Sequence, residues 1–78
     1  MSTVQSIERA FAVLRSLAGG PAGVTEIADR VGLPKSTVAR LLATLAEIGA
    51  VEQLGAGSQY RIGAAMAELA AAARPGRS

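Results

Sequence analysis

The hydrophobic positions of the first part of the chain recur at helical spacing. The first set is Ile7, Ala10, Phe11, Leu14, Leu17 and Ala18. Residues three and four apart stack on one side of a helix, so this stripe predicts an amphipathic first helix. Gly19, Gly20 and Pro21 end it, because glycine suits the residue past a helix end and proline cannot continue a helix. Val13 lies beside the stripe and either offers a second apolar side to a partner or packs under the first loop.

A short second helix and a longer third helix follow, separated by a tight turn. Thr25 is a good cap for the second helix, and Gly32 stops it after about two turns. Ala28 is small enough for two helix backbones to cross closely, Gly32 can take positive φ, and Val38 is a stiff apolar plug. This spacing predicts a helix-turn-helix, with a plain helical hairpin as the alternative.

The third helix, predicted over residues 34–48 with Pro34 in its first position, has two unlike faces. Its apolar, inward-facing residues are Val38, Leu41, Leu42, Leu45 and Ile48. Its polar residues are Lys35, Ser36, Thr37, Arg40 and Thr44, and no acidic residue occurs between positions 33 and 46. A basic, hydroxyl-rich face is typical of a helix laid against phosphates and base edges. The alternative is an ordinary solvated surface face.

Two short alternating stretches at residues 51–53 and 59–62, with a glycine-rich turn at residues 55–58, predict a β-hairpin. It should pack on the helices through Val51, Tyr60 and Ile62, because an isolated two-stranded hairpin is barely stable. Gln59 and Arg61 alternate outward and are candidates for phosphate contact. The expected fold is mainly α with a small β-hairpin: a winged helix-turn-helix with a three-helix core, a two-stranded wing and a C-terminal linker helix.

An alanine-rich stretch follows the hairpin, with Met66 and Leu69 as its only large apolar residues. Alanine favours helix, but this helix would have little apolar surface with which to anchor itself. We therefore expect residues 1–63 to form the winged helix-turn-helix domain. Residues 64–78 are expected to form a linker helix and a frayed C-terminus.

Composition narrows the function classes. The 78 residues allow one small domain, and a net charge of +2 with a pI of about 9.9 mildly favours a polyanionic partner. The chain has no Cys and no His, and its acidic residues are scattered. We therefore expect no enzyme, no metal site and no cofactor. No signal peptide or membrane-spanning run is present, so a cytoplasmic location without membrane contact is expected.

Five short sequences, in order along the chain, carry a family resemblance. They are VQSIERA at residues 4–10, TEIA at 25–28, GLPKSTV at 32–38, RLL at 40–42 and YRIG at 60–63. Together they resemble the N-terminal winged helix-turn-helix domain of IclR-type transcriptional regulators. The match runs from about Val4 to Leu69. One departure is Ala39, where the family often has His or Tyr. The other is at the wing, where Ala50 stands in place of the family's usual aromatic residue and the wing tip carries no charge.

The resemblance implies a prokaryotic regulator that binds double-stranded operator DNA in a sequence-specific manner, with its recognition helix (residues 34–48) in the major groove. The wing (residues 51–62) would lie near the DNA backbone. The expected DNA-binding residues are Thr25, Lys35, Ser36, Thr37, Arg40, Thr44, Gln59 and Arg61. A homodimer through the first helix and the linker helix is expected. A small-molecule effector would bind only to a C-terminal domain that we expect to be absent here, and a nucleoid-associated location is implied.

Two other readings compete with DNA binding. A winged helix can serve as a protein–protein interaction module, since fold does not fix function. An interaction face would show exposed apolar or acidic residues on the third helix, whereas this helix shows basic and hydroxyl groups. RNA binding is a lesser alternative, because the aromatic residues that usually stack on bases are missing.

Overall fold

The computed structural model describes residues 4–56 and 58–74, and three helices precede a hairpin and a last helix. The elements are α1 (Gln5–Ser16), α2 (Val24–Val31), α3 (Lys35–Glu47), β1 (Val51–Leu54), β2 (Gln59–Ile62) and α4 (Ala64–Ala72). The first three helices pack on one another, and the antiparallel hairpin packs on α3 and α4. The predicted winged helix-turn-helix fold is confirmed.

The core of the domain is aliphatic and receives a residue from each of the first three helices. Its largest fully buried side chains are Val13, Ile27, Val38 and Leu42. Among the described residues, no polar or charged side chain is buried. The polar groups of the domain are therefore left at the surface, where a ligand can reach them.

The buried face of α1 is centred closer to Val13 than the sequence pattern predicts. Val13 is fully buried, whereas Ile7 is 57% exposed and Phe11 is 49% exposed. The helix ends at Ser16, so Ala18 lies beyond it and is exposed. The apolar stripe is wider than the surface that α2 and α3 cover, and they cover the Val13 side. Ile7, Phe11 and Ala18 of the predicted stripe therefore lie outside the core, and Val13 is not available to a partner.

Helix α2 does not begin at Thr25. Its N-cap residue is Gly23, no side chain caps it, and the Ile27 N–H donates to the Gly23 carbonyl at 2.9 Å. Thr25 is the second helical residue and is exposed. A Cβ at position 23 would lie 2.8 Å from the Ser58 carbonyl oxygen. The chain thus passes very close to the wing at Gly23, and the helix starts directly after this contact.

The turn between α2 and α3 follows the prediction at Gly32, whose φ is 72°. The Ala28 carbonyl accepts hydrogen bonds from the N–H groups of Gly32 (2.9 Å) and Leu33 (3.3 Å). Pro34 is the N-cap of α3 rather than its first helical residue, so the recognition helix spans Lys35–Glu47.

The C-terminal end of α3 differs from the pattern at one position. Ile48 is the C-cap residue and is 64% exposed, so its predicted inward orientation is wrong. The apolar spacing continues into Ile48, but the helix ends before it, and the described elements leave its side chain largely exposed. Gly49 takes a φ of 81° and reverses the chain into the wing, as expected.

The wing has the predicted packing. β1 and β2 pair so that Val51 lies opposite Ile62 and Glu52 lies opposite Arg61. Val51 is buried, and Tyr60 and Ile62 pack against the core. An isolated bridge, which the sequence did not predict, joins Tyr60 to Ala22 through two hydrogen bonds of 2.9 and 3.0 Å. Of the predicted turn, Gly57 lies outside the described residues.

Helix α4 lies against β1 and has no buried residue among those described. Met66 packs against the core, and Leu69 is 62% exposed. A helix with so few apolar contacts is held mainly through its first turn, where the Ala65 N–H donates to the Gly49 carbonyl at 3.1 Å. Residues 75–78 of the expected frayed end lie outside the described part of the chain.

Candidate nucleic-acid interface

The predicted recognition residues of α3 lie at its surface. Lys35, Ser36, Arg40 and Thr44 are exposed, and Thr37 is half-buried. The first N–H groups of a helix have no partner within it, so α3 presents free amides beside this basic start. Such a helix start attracts anions, because unpaired donors and the positive end of the helix dipole act together.

The polar residues of α3 divide into two groups around the helix. Ser36 lies on the outermost face, whereas Thr37 and Thr44 line a groove that faces α1. Arg40 lies between the two groups and also borders that groove. The guanidinium group of Arg40 is therefore placed to point outward or across the groove.

Two alanines on the outer part of α3 were not predicted as site residues. Ala39 and Ala43 are both exposed. Small side chains allow a helix to approach a groove closely, and alanine can contact a thymine methyl group. Little in the sequence indicated that these alanines belong to the site, because alanine carries no polar group and is common in any helix.

Among the described residues, two arginines outside α3 form ion pairs, whereas the basic residues of α3 do not. Arg30 bonds Glu26 at 2.8 Å and the carbonyl oxygen of Ser16 at 2.7 Å, so it joins α2 to the end of α1. Arg61 is paired with Glu52 across the wing at 2.6 Å. Within the described residues, neither Lys35 nor Arg40 takes part in an ion pair. The positive charge of α3 is thus available, and that of the wing is partly neutralised.

Sequence reasoning missed the partner of Arg61, although a signal was present. Glu52 and Arg61 are equally far from the four-residue turn, one on each strand. In an antiparallel hairpin this places the two residues opposite each other. The turn length therefore predicts the pair.

The remaining predicted residues lie on other elements. Thr25 is in the first turn of α2, two residues after Gly23, whose backbone passes close to Ser58 of the wing turn. Gln59 is exposed and shares the outward strand face with Arg61. The wing starts where the Ala50 N–H donates to the Leu45 carbonyl at 2.8 Å, at the end of α3 opposite Lys35. The predicted residues therefore form two groups, on α3 and around the wing.

An apolar groove of about 760 Å³ lies between α1, α3 and α4, and we call it the α1–α3–α4 groove. Its apolar walls are exposed at Ile7, Phe11, Ile48 and Leu69, each between 49% and 64%. Exposed apolar side chains that line one groove are candidates for contact with another molecule. The polar residues that line the groove are Ser6 and Arg9 on α1 and Thr37, Arg40 and Thr44 on α3.

Other kinds of site have no support in the described part of the chain. No group of three or more acidic, His or Cys side chains is placed to hold a metal ion among residues 4–56 and 58–74. None of the described helices has the length and apolar run that a bilayer span requires.

Comparison with known proteins places this architecture in a family. Residues 6–55 match the family model for the IclR helix-turn-helix domain. The chain is 46% identical over 68 residues to a glycerol operon regulatory protein of Streptomyces coelicolor, which covers 85% of this chain and 27% of the relative. It is 41% identical over 63 residues to the transcriptional repressor IclR of Escherichia coli, covering 78% of this chain and 23% of the repressor.

A solved structure agrees with these relatives. The crystal structure of an IclR family transcriptional regulator from Brucella abortus superposes with a TM-score of 0.84 at 32% identity, covering 92% of this chain and 28% of that one. The chain thus spans about a quarter of the length of the regulators it matches. The family model covers more than half of the chain, and the chain therefore belongs to the IclR family of transcriptional regulators, as a winged helix-turn-helix DNA-binding domain.

Proposed function

We propose that this domain binds a specific operator sequence in double-stranded DNA, with the N-terminal half of α3 in the major groove. The observation that carries the proposal is the exposed start of α3, where Lys35 and Arg40 form no ion pair among the described residues. The second helix of a helix-turn-helix enters the major groove through its N-terminal residues. On this helix those residues are the basic and hydroxyl ones.

Each polar residue of α3 has a distinct part in this proposal. Arg40 donates two parallel hydrogen bonds to guanine O6 and N7, the commonest specific contact in the major groove. Ser36 and Thr37 bind phosphate oxygens together with the free amides of the helix start. Lys35 contributes a point charge to the DNA backbone, and Thr44 extends the contact toward the α1 side.

The wing supplies the second group of contacts. Gln59 and Arg61 lie on its outward face, and Thr25 lies in the first turn of α2, two residues after the contact between Gly23 and the wing turn. We assign these three residues to the phosphate backbone, because phosphate contacts fix the position of a protein on the duplex. The wing turn has no charged residue, so its contribution to affinity is small.

We also propose that the domain acts as a homodimer. The apolar walls of the α1–α3–α4 groove would be covered by a second copy, through α1 and α4. Few basic residues face the DNA, so one copy holds it weakly, and two linked copies gain from effective concentration. A dimer of this kind reads two half-sites about 34–36 Å apart, or a multiple of that distance.

The domain serves, in this proposal, as the operator-binding part of a larger regulator. Residues 1–63 form the DNA-binding unit, and residues 64–78 lead toward an effector-binding domain that takes the small molecule. The shares of 23% and 27% of the relatives' length are consistent with this division. A regulator that binds operator DNA works where the chromosome lies, so we propose a cytoplasmic, nucleoid-associated location.

Selection from a random duplex DNA library at moderate salt, followed by sequencing, tests the function. Enrichment of an inverted repeat would support both operator binding and the dimer, and would give the half-site spacing. Enrichment of a single half-site would support sequence-specific binding and contradict the dimer. Salt-sensitive binding without enrichment would contradict sequence specificity. An absence of binding at any salt concentration would contradict the proposal and favour a protein-interaction module.

A further inference from the structure

The outward face of the wing carries an ion pair between its two strands. Arg61 donates from Nε to Oε1 of Glu52 at 2.7 Å, and its Nη2 lies 2.6 Å from the same oxygen. The side chains are 54% and 55% exposed. The pair therefore lies at the surface that the wing would present to a phosphate.

No basic residue close to Arg61 in the sequence could take over its contact with a phosphate. Arg61 is the only basic residue between positions 41 and 73, and the wing turn carries no charge. Any ionic contact between the wing and a phosphate must therefore come from this one guanidinium group. A phosphate that binds it must draw Arg61 away from Glu52 or tolerate the adjacent carboxylate.

We propose that Glu52 sets the DNA affinity of the wing by holding Arg61 and repelling the phosphate that would bind it. This inference rests on the proposed DNA-binding function. Its consequence is that the wing adds little binding of the sequence-independent kind, which comes mainly from charge. Discrimination between sequences is thereby left to α3.

Salt titrations of binding to a short duplex of random sequence test the role of Glu52. The variants are Glu52→Gln, Arg61→Ala, the two combined, and Glu68→Gln. Glu68 is exposed on α4 and outside the wing, so its variant removes the same charge without touching the pair. Thermal melts of each variant show whether the fold is kept.

We expect Glu52→Gln to bind about threefold to fivefold more tightly than wild type, because an exposed ion pair opposes release of Arg61 by roughly this factor. The salt slope should steepen by about 0.9, the value for one further phosphate neutralised. Glu68→Gln should change affinity much less. In a protein that already carries Arg61→Ala, Glu52→Gln should raise DNA affinity no more than Glu68→Gln does. The coupling between Glu52 and Arg61 no longer exists once Arg61 has been removed.

Equal effects of Glu52→Gln and Glu68→Gln would overturn the proposal, since net charge alone would explain them. A gain from Glu52→Gln that persists without Arg61 would also overturn it. If Lys35→Ala or Arg40→Ala abolishes binding but Glu52→Gln changes neither affinity nor salt slope, this inference is contradicted and the proposed function stays intact. A folded wild type that binds no duplex would contradict both.

Discussion

Arg40 and Lys35 carry the same charge on the same helix, but their head groups suit different parts of a duplex. The guanidinium group of arginine is a planar fork that matches two acceptors on one base edge. The ammonium group of lysine is a compact charge on a flexible stem. We therefore expect the removal of each residue to change DNA binding in a different way.

Replacing Arg40 by Ala should weaken binding to the best operator by about 1–3 kcal/mol and flatten the preference at one base pair, because the bidentate contact is lost. Binding of wild type and variant to the selected site and to each single-base variant of it would measure this. Arg15→Ala removes the same charge from α1 and should leave the base preference unchanged. If Arg40→Ala keeps the wild-type preference, Arg40 does not read a base.

Replacing Lys35 by Ala should weaken binding to all sequences alike and reduce the salt slope by about one, because one phosphate contact is lost. The measurement is a salt titration with specific and non-specific duplexes. Lys35→Arg keeps the charge and should keep the slope. An unchanged slope in Lys35→Ala would remove this residue from the phosphate contacts.

At the scale of single residues, the sequence predicted exposure better on α3 than on α1. The basic and hydroxyl residues of α3 are exposed as expected, except for the half-buried Thr37. Val13 and Phe11 are both apolar and both on α1, yet Val13 is buried and Phe11 is 49% exposed. The rotation of a helix about its axis depends on which side its neighbours cover, and a stripe wider than that side leaves the choice open.

At the scale of elements, glycines fix the places where the chain must pass close to itself. A Cβ at Gly63 would collide with the Gly49 carbonyl oxygen and would lie 3.1 Å from the backbone of Val51. Both obstacles are backbone atoms, so neither can move aside as a flexible side chain would. Gly63 is the N-cap of α4, and this contact sets where α4 leaves the wing.

Gly63→Ala should therefore lower the free energy of unfolding by about 1–3 kcal/mol, the usual range for overpacking. In a domain of this size the melting temperature falls by roughly 4–8 °C for each kcal/mol. Thermal melts followed by circular dichroism would measure the change. Gly19→Ala is the control, because a Cβ there has nothing within 4 Å. Equal melting temperatures for the two variants would contradict the close approach.

The elements themselves were largely predictable, but not every one of their ends was. The glycines at positions 32 and 49 indicated where α2 and α3 end, because their positive φ values suit only glycine well. The start of α2 was misplaced at Thr25, since a good cap residue in sequence says nothing about the contact between Gly23 and the wing. Local sequence patterns do not predict contacts between segments that are distant along the chain.

At the scale of the whole molecule, the exposed apolar residues of the α1–α3–α4 groove bear on assembly. Phe11→Glu should weaken self-association by about tenfold or more, because a twofold interface would bury the new carboxylate twice. Sedimentation of wild type and variant over a range of concentrations would measure this. Gln5→Glu adds the same charge to α1 outside the groove and should have little effect. A wild type that stays monomeric at high concentration would contradict the dimer for this chain.

The bridge between Ala22 and Tyr60 has a consequence for how the domain folds. Its two hydrogen bonds join the loop before α2 to the last strand, which lies far along the chain. Closing so distant a contact costs chain entropy, and the packed helices between its two ends reduce that cost, so we expect the wing to reach its full stability only with the helix-turn-helix in place. Damage to either side of the bridge should therefore loosen both.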